Sequence, residues 1–311
     1  MSDDQTALVA VDWGTSALRA ARLDADGRVL EERSLPRGIL TIPANGFATF
    51  FDTIFADWTR ASGLFCLISG MAGSKQGWKE APYCPCPAGF DEVAAALAWI
   101  QPHRIAIVPG LCCEHRHAPD VMRGEEVQIF GAMQLTGLRD GLFVLPGTHS
   151  KWAQVQNGRV ATFRTYMTGE FYALLSQHSI LAKTMPADAD APFDADAFAQ
   201  GVTVAQAGAG LLHTAFSART LSLFSRMSAT ALPSYLSGLV IGEELRLQIP
   251  GATQARPGAD GDVVLIGSST LTARYSQALA LQGVRSRSLG SEATWAGLHA
   301  LAGSVRVSPA F

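Results

Sequence analysis

The sequence predicts an α/β protein of two related domains, and three observations lead there. At 311 residues the chain is too long for one small core and comfortable as two domains of ordinary size. Near the N-terminus a hydrophobic strand breaks at a carboxylate, a glycine and two hydroxyls, then resumes as strand: Val9-Ala10-Val11-Asp12-Trp13-Gly14-Thr15-Ser16-Ala17-Leu18-Arg19. Much later Val144-Leu145-Pro146-Gly147-Thr148-His149-Ser150-Lys151-Trp152 repeats that layout. The pair of hairpins is the chain's one internal echo.

Composition narrows the class. Hydrophobic residues make up 48% and charged residues 16%, as in a well-packed protein with little disorder. A net charge of −3 gives no electrostatic footprint for nucleic acid. Met-Ser-Asp-Asp-Gln is unlike a signal peptide, and no continuous apolar run is long enough to span a bilayer, so no membrane partner is expected. Five cysteines, an odd number, suit a reducing cytoplasm better than a disulfide framework.

The elements follow from periodicity and turn residues. Leu8–Val11 and Leu18–Leu23 read as a hairpin, and the Gly27-Arg28 turn leads to a strand near Val29–Glu32. An amphipathic helix over Phe47–Arg60 precedes a buried strand, Phe65–Ser69. The glycine-dense loop Gly70–Trp78 then sits at the ligand-facing end expected of an α/β sheet. Phe90–Trp99 reads as a short helix and Arg104–Val108 as a strand stopped by Pro109-Gly110. Apolar residues at helical spacing predict a helix over Glu125–Leu138, joining the two halves. Leu142–Leu145 and Trp152–Val155 form the second hairpin, followed by a strand at Arg159–Phe163 and a helix over Gly169–Gln177. Ala187–Asp196 reads as a loop, and helical segments include Gly210–Phe216 and Tyr235–Leu247. A Gly/Pro/Ala linker, Ala252–Asp262, feeds the strand Val263–Ile266, the turn Gly267–Thr270 and a helix through Ala280. The last helix is expected over Ala293–Leu301. The domain division is 1–124 and 125–290, with 291–311 packing back on the first.

The two turns point to phosphoryl transfer, in which the protein supplies position, a metal and hydrogen-bond donors. Asp12 is placed to hold Mg²⁺, directly or through water. Gly14 lets backbone approach phosphates, while Thr15 and Ser16 donate to them. Gly147 and Thr148 grip the other side of the polyphosphate, with Ser150 or Lys151 behind. Gly267-Ser268-Ser269-Thr270, between a buried strand and a helix, offers a shelf for adenine and ribose. An alcohol acceptor also calls for a carboxylate base. Glu125 is favoured, with Asp120 and Glu126 as rivals; the plainer explanation is two acids favouring a helix dipole. Lys75, Arg123 and Arg164 are cations in or near loops, suited to an acidic acceptor, and Lys79 reads as surface charge. Trp78 can face a sugar-like chain or simply pack. Cys84-Pro85-Cys86 and Cys112-Cys113-Glu114-His115 match no strong zinc spacing. His149 and Ser150, adjacent on a strand, point to opposite faces and do not form a nucleophile–base pair.

The chain resembles the 2-dehydro-3-deoxygalactonokinase family of the sugar kinase, heat-shock ATPase and actin superfamily. The matching stretches are Val11–Ser16, Ser69–Ser74, Gln76–Trp78, Asp120–Gln128, Leu145–Trp152 and Met167–Glu170. The resemblance implies two ribonuclease H-like domains of the actin-like ATPase/sugar kinase fold, with a cleft that closes on ligand. It implies ATP- and Mg²⁺-dependent phosphorylation of 2-dehydro-3-deoxy-D-galactonate, a small sugar acid, on its 6-hydroxyl. The superfamily's phosphate turns carry over to Asp12–Ser16 and Gly147–Ser150, and its nucleotide turn to Gly267–Thr270. Pro146 stands where many relatives place an acid, which leaves more of the metal work to Asp12. Glu125 is an inexact match to the Asp base of many relatives. A kinase for another 2-keto-3-deoxy sugar acid, such as the gluconate epimer, is the alternative; a nucleotide-binding regulator without catalysis is a more distant one. A homodimer is the assembly this reading admits.

Overall fold

In the computed structural model, residues 6–59, 64–186, 192–249 and 261–307 are described. The chain divides into two compact units, residues 1–140 with 153–163 and 289–311, and residues 141–152 with 164–288.

In the first unit β1 (Leu8–Trp13), β2 (Leu18–Leu23) and β3 (Val29–Leu35) form an antiparallel meander. Helix α1 (Phe47–Phe55) leads to β4 (Phe65–Gly70), which pairs parallel with β1 and places Ser69 beside Asp12. Strand β5 (Tyr83–Pro85) and helix α2 (Phe90–Ala95) precede β6 (Ala98–Gln101) and β7 (Ile105–Ile107). The sheet order is β3-β2-β1-β4-β7-β6. Strands β8 (Gly110–Glu114) and β9 (Pro119–Met122) join β5 in a separate three-stranded sheet, and helix α3 (Glu125–Thr136) follows. Trp13, Phe47, Phe51 and Phe55 are fully buried in this unit's core, with aromatic rings meeting edge-on and tilted.

Two expectations for this part are corrected. Phe90–Trp99 is not one helix: it stops at Ala95, and Trp99 pairs with Ala106 across the antiparallel β6–β7 ladder. The β-favouring run Trp99-Ile100 gains more from that ladder than from another helical turn. The helix expected over Phe47–Arg60 ends at Phe55, and residues 60–63 lie outside those described.

Strands β10 (Gly141–Leu145), β11 (Ser150–Gln156) and β12 (Arg159–Tyr166) come next. Then follow α4 (Thr168–Ala173), α5 (Ala195–Gln206), α6 (Leu211–Thr214), α7 (Ser217–Leu223) and α8 (Leu232–Gln248). Strand β13 (Val263–Ile266), helix α9 (Ser269–Ala280), strand β14 (Ser286–Leu289) and helix α10 (Glu292–Val307) complete the chain. The second sheet runs β12-β11-β10-β13-β14, with β13 parallel to β10. It repeats the first sheet's β3-β2-β1-β4-β7 order element for element, so the echo seen in two turns extends to whole sheets. The expected linker 252–262 lies mostly outside the described residues, as do 187–191 of the expected loop.

Glycines set the closest helix packing. A Cβ on Gly238 of α8 would fall 2.1 Å from the Phe198 carbonyl oxygen of α5, and one on Gly131 of α3 would fall 1.7 Å from that of Ala293 on α10. Any larger residue would push these helices apart and open voids in the core. Helix α8 is buried nearly all round between α5 and the sheet, which makes the acid at Glu244 within it conspicuous.

Candidate active site

The first unit gathers its candidate residues at the carboxyl ends of the parallel strands β1 and β4, where open α/β sheets bind ligands. Asp12 is the penultimate residue of β1 with its side chain 17% exposed, and its Oδ2 lies 2.5 Å from Arg19 Nη2 on β2. Gly14 N–H donates to the Ala17 carbonyl at 2.9 Å and closes the turn, leaving Thr15 and Ser16 exposed. Gly38 packs so tightly on this turn that a Cβ there would lie 2.1 Å from the Thr15 carbonyl oxygen.

Two left-handed glycines then link Asp12 to the helix that carries the candidate base. Gly70, φ 87°, would place a Cβ 3.3 Å from Asp12 Oδ1; Gly124, φ 108°, would place one 3.2 Å from Gly70 Cα. Both need positive φ and both lack room for a side chain, so only glycine serves. Helix α3 starts at Glu125, which is half-buried and accepts from the Arg123 backbone N–H at 3.0 Å. Glu126 is fully buried and accepts from the Gly124 N–H at 2.7 Å, so its burial removes it as a base for an incoming acceptor. Asp120, on β9, accepts from the Val121 N–H at 2.8 Å.

Burial, with the neighbouring Glu125 charge, pushes the Glu126 carboxyl up to about 8 from its ordinary 4.5. Between those values the folded chain holds a proton that the unfolded chain has released, so stability falls as pH rises through that window. Glu126→Gln is therefore expected to raise the melting temperature more at about pH 9 than at about pH 5, at roughly 2–4 °C per kcal/mol regained. Thermal melts at both pH values check this; an equal shift at the two would discard it.

Arg123 stacks over Tyr83 at 4.2 Å and donates Nη2 to the Ala81 carbonyl at 2.8 Å. Its Nε and Nη1 are buried with no hydrogen-bond partner, as are the hydroxyls of Ser69 and Ser74. The arginine abuts the glycine loop, since a Cβ on Gly73 would lie 2.8 Å from Nη1. Lys75 is exposed in that loop, and Lys79 Nζ donates to the Trp99 carbonyl at 2.6 Å. Trp78 is half-buried and packs against the core on Trp13 and Phe51, with centroids 6.2 and 5.2 Å apart.

In the second unit the 146–149 turn and the start of α9 lie together. Gly267 would place a Cβ 3.6 Å from the Pro146 carbonyl oxygen, and Gly169 one 2.5 Å from that of Gly147. Glu170 N–H donates to the Thr148 carbonyl at 3.1 Å, and its carboxylate meets His149 Nε2 at 2.5 Å. Thr148, Ser268 and Ser269 are exposed; Ser268 Oγ caps α9 by accepting from Leu271 N–H at 3.4 Å. A 60 Å³ cavity is lined by Gly147, Thr168, Gly169, Leu271, Arg274 and Tyr275 among others. Ser150 is buried and its hydroxyl donates to Glu244 at 2.7 Å, while Lys151 Nζ donates to Thr165 Oγ1 at 2.8 Å. Arg164 is exposed on β12.

Glu244, Arg19, Ser69 and the His149–Glu170 pair were not singled out from sequence. The one legible signal was the pair of acids, Glu243 and Glu244, within the otherwise apolar run Leu239–Leu245. The cysteines are free, and the described residues contain no group of three metal-ligating side chains. No helix among the described residues is long and apolar enough to cross a membrane.

Comparison with known proteins gives this geometry a family. The 2-keto-3-deoxy-galactonokinase family model matches residues 12–301. The 2-dehydro-3-deoxygalactonokinase of Escherichia coli (strain K12) is 33% identical over 298 residues, covering 96% of this chain and 98% of the relative. A Rhizobium meliloti (strain 1021) protein named for the same activity is 39% identical over 301 residues, 95% of this chain and 96% of its own. A Sinorhizobium meliloti crystal structure, of a protein also named for that activity, superposes with a TM-score of 0.87 at 38% identity, over 96% of this chain and 99% of that one. The fold is accordingly that of the actin-like ATPases and sugar kinases, two ribonuclease H-like α/β domains. The chain belongs to the 2-keto-3-deoxy-galactonokinase family and is a phosphotransferase.

Proposed function

We propose that this chain transfers the terminal phosphoryl group of ATP to the 6-hydroxyl of 2-dehydro-3-deoxy-D-galactonate. The observation that supports the reading is the succession of close approaches Asp12, Gly70, Gly124, with Glu125 next in the chain, at one end of the first sheet. Family membership and the repeated sheet order support it.

Asp12 suits Mg²⁺: it is a hard oxygen donor on a strand end, and the Gly70 cradle leaves space beside Oδ1. A single carboxylate is what an ion that keeps water and phosphate ligands needs. When bound, that ion neutralises phosphate charge and orients the polyphosphate. Gly14 and the Thr15 and Ser16 hydroxyls receive phosphate oxygens in the first unit. In the second, Gly147 and Thr148 receive phosphate, and Gly267, Ser268 and Ser269 border the nucleoside. Ser150 contributes through backbone, because its hydroxyl is engaged with Glu244.

Glu125 takes the proton of the acceptor hydroxyl as its oxygen bonds to the terminal phosphorus and the bond to the departing ADP oxygen breaks. Arg123 supplies the cation for the acceptor's carboxylate from a partly buried position beside the glycine loop, where the Tyr83 ring and the Ala81 carbonyl hold its guanidinium. Lys75 adds positive charge at the loop. Arg123→Ala is expected to raise the KM for the sugar acid about tenfold or more with little change in the KM for ATP. Steady-state kinetics in both substrates decide, and an unchanged acceptor KM removes Arg123 from this role.

The proposal as a whole is tested by a product assay with ATP over a panel of 2-keto-3-deoxy sugar acids. Preferential 6-phosphorylation of the galactonate epimer supports it. Preference for the gluconate epimer reassigns the acceptor, because the two differ at one stereocentre and a single lost contact decides between them.

A further inference from the structure

Glu244 lies on α8, 2% exposed, and its two carboxylate oxygens receive four side-chain donors from three other segments. Oε1 accepts from Ser150 Oγ at 2.7 Å and from the Trp152 indole N–H on β11. Oε2 accepts from Tyr275 OH on α9 at 2.8 Å and from Thr168 Oγ1 at the start of α4. Burial pushes the carboxyl up while the four donors oppose that shift.

The donors are not scattered through the core. Ser150 closes the turn that holds Gly147 and Thr148. Thr168 precedes Gly169, where an added Cβ would fall 2.5 Å from the Gly147 carbonyl oxygen, and Tyr275 stands on the helix that opens at Ser269. Thr168 and Tyr275 also line the 60 Å³ cavity together with Gly147. A set of apolar side chains would fill the same space at least as stably, because buried acids are costly to desolvate. What apolar packing lacks is direction: four hydrogen bonds to one carboxylate set three segments at defined positions and angles.

We propose that Glu244 is the positioning residue of the nucleotide site, holding the 146–150 turn, the start of α4 and helix α9 in the arrangement that receives ATP. This rests on the reading of those turns as nucleotide-binding. Glu244 touches no ligand itself; it acts through Ser150, Thr168 and Tyr275.

The test titrates ATP with magnesium into wild type, Thr168→Val, Tyr275→Phe and Glu244→Leu by calorimetry, with steady-state kinetics alongside. The single donor variants are expected to weaken ATP binding about threefold to tenfold and Glu244→Leu more than tenfold. The KM for the sugar acid should stay within about twofold. Should Glu244→Leu fail to fold, the Thr168→Val/Tyr275→Phe double variant replaces it, with the same expectation. Variants that melt at lower temperature yet bind ATP as wild type does would overturn the proposal and leave Glu244 a purely structural acid. A wild-type protein that binds no ATP would instead overturn the nucleotide reading itself, and this inference with it.

Discussion

Asp12→Ala is expected to lower turnover about a thousandfold or more while the fold and its melting temperature stay close to wild type. The magnitude follows from several kcal/mol of phosphate charge left uncompensated at the transition state, each 1.4 kcal/mol being about a factor of ten. Asp12 lies near the end of a buried strand, but its side chain is partly exposed and pairs with Arg19, itself 41% exposed. Removing the carboxylate therefore breaks a partly screened ion pair, which contributes little to stability. The substitution also leaves Arg19 free to contact phosphate, so binding of ATP without metal should hold or tighten while binding with magnesium weakens. Initial rates and titrations with and without magnesium check both halves. Turnover within about tenfold of wild type would remove Asp12 from the metal role.

Glu125→Gln is the second large effect, a loss of about 10²–10⁴ in turnover with ATP affinity little changed. Glutamine keeps the shape and can still accept from the Arg123 backbone N–H, so the start of α3 stays as it is. What goes is the capacity to take a proton. Glu126 cannot substitute, because it is sealed in the core and bound to the Gly124 N–H. A Glu125→Gln enzyme with full turnover would move the base elsewhere, and Asp120→Asn would then be the variant to compare. Burst-phase kinetics separate a slowed chemical step from slowed product release.

Legibility in the sequence varied with the range of the interaction. The hairpins β1–β2 and β10–β11 and the strand β13 were readable because alternating or continuous apolar runs bounded by glycine and hydroxyl residues are local signals. The helix at Glu125 was readable for the same reason, and its observed end, Gly137 in the left-handed conformation, is a common stop. The segment after Ala95 was not readable as strand, since a short apolar run suits either structure and pairing with Ile105–Ile107 decided it. The three-stranded sheet of β5, β8 and β9 was hidden in the same way. Its cysteine spacing drew attention as chemistry, whereas the structure uses Cys84, Cys112 and Cys113 as strand.

By itself the sequence determined that two glycine-hydroxyl turns break two equivalent strands, that an acid precedes the first, and that acids open the helix after Gly124. Chain order and residue type suffice for that, because a turn and a helix start are built from neighbours. Tertiary structure alone decided which of two adjacent acids is sealed and which is half-buried, that Trp78 packs against the core, and that Glu244 joins four donors from three segments. Those outcomes depend on burial and on partners up to 94 residues away in the chain. No local pattern encodes such distances, because the energy of an acid or an aromatic ring is set by what surrounds it after folding.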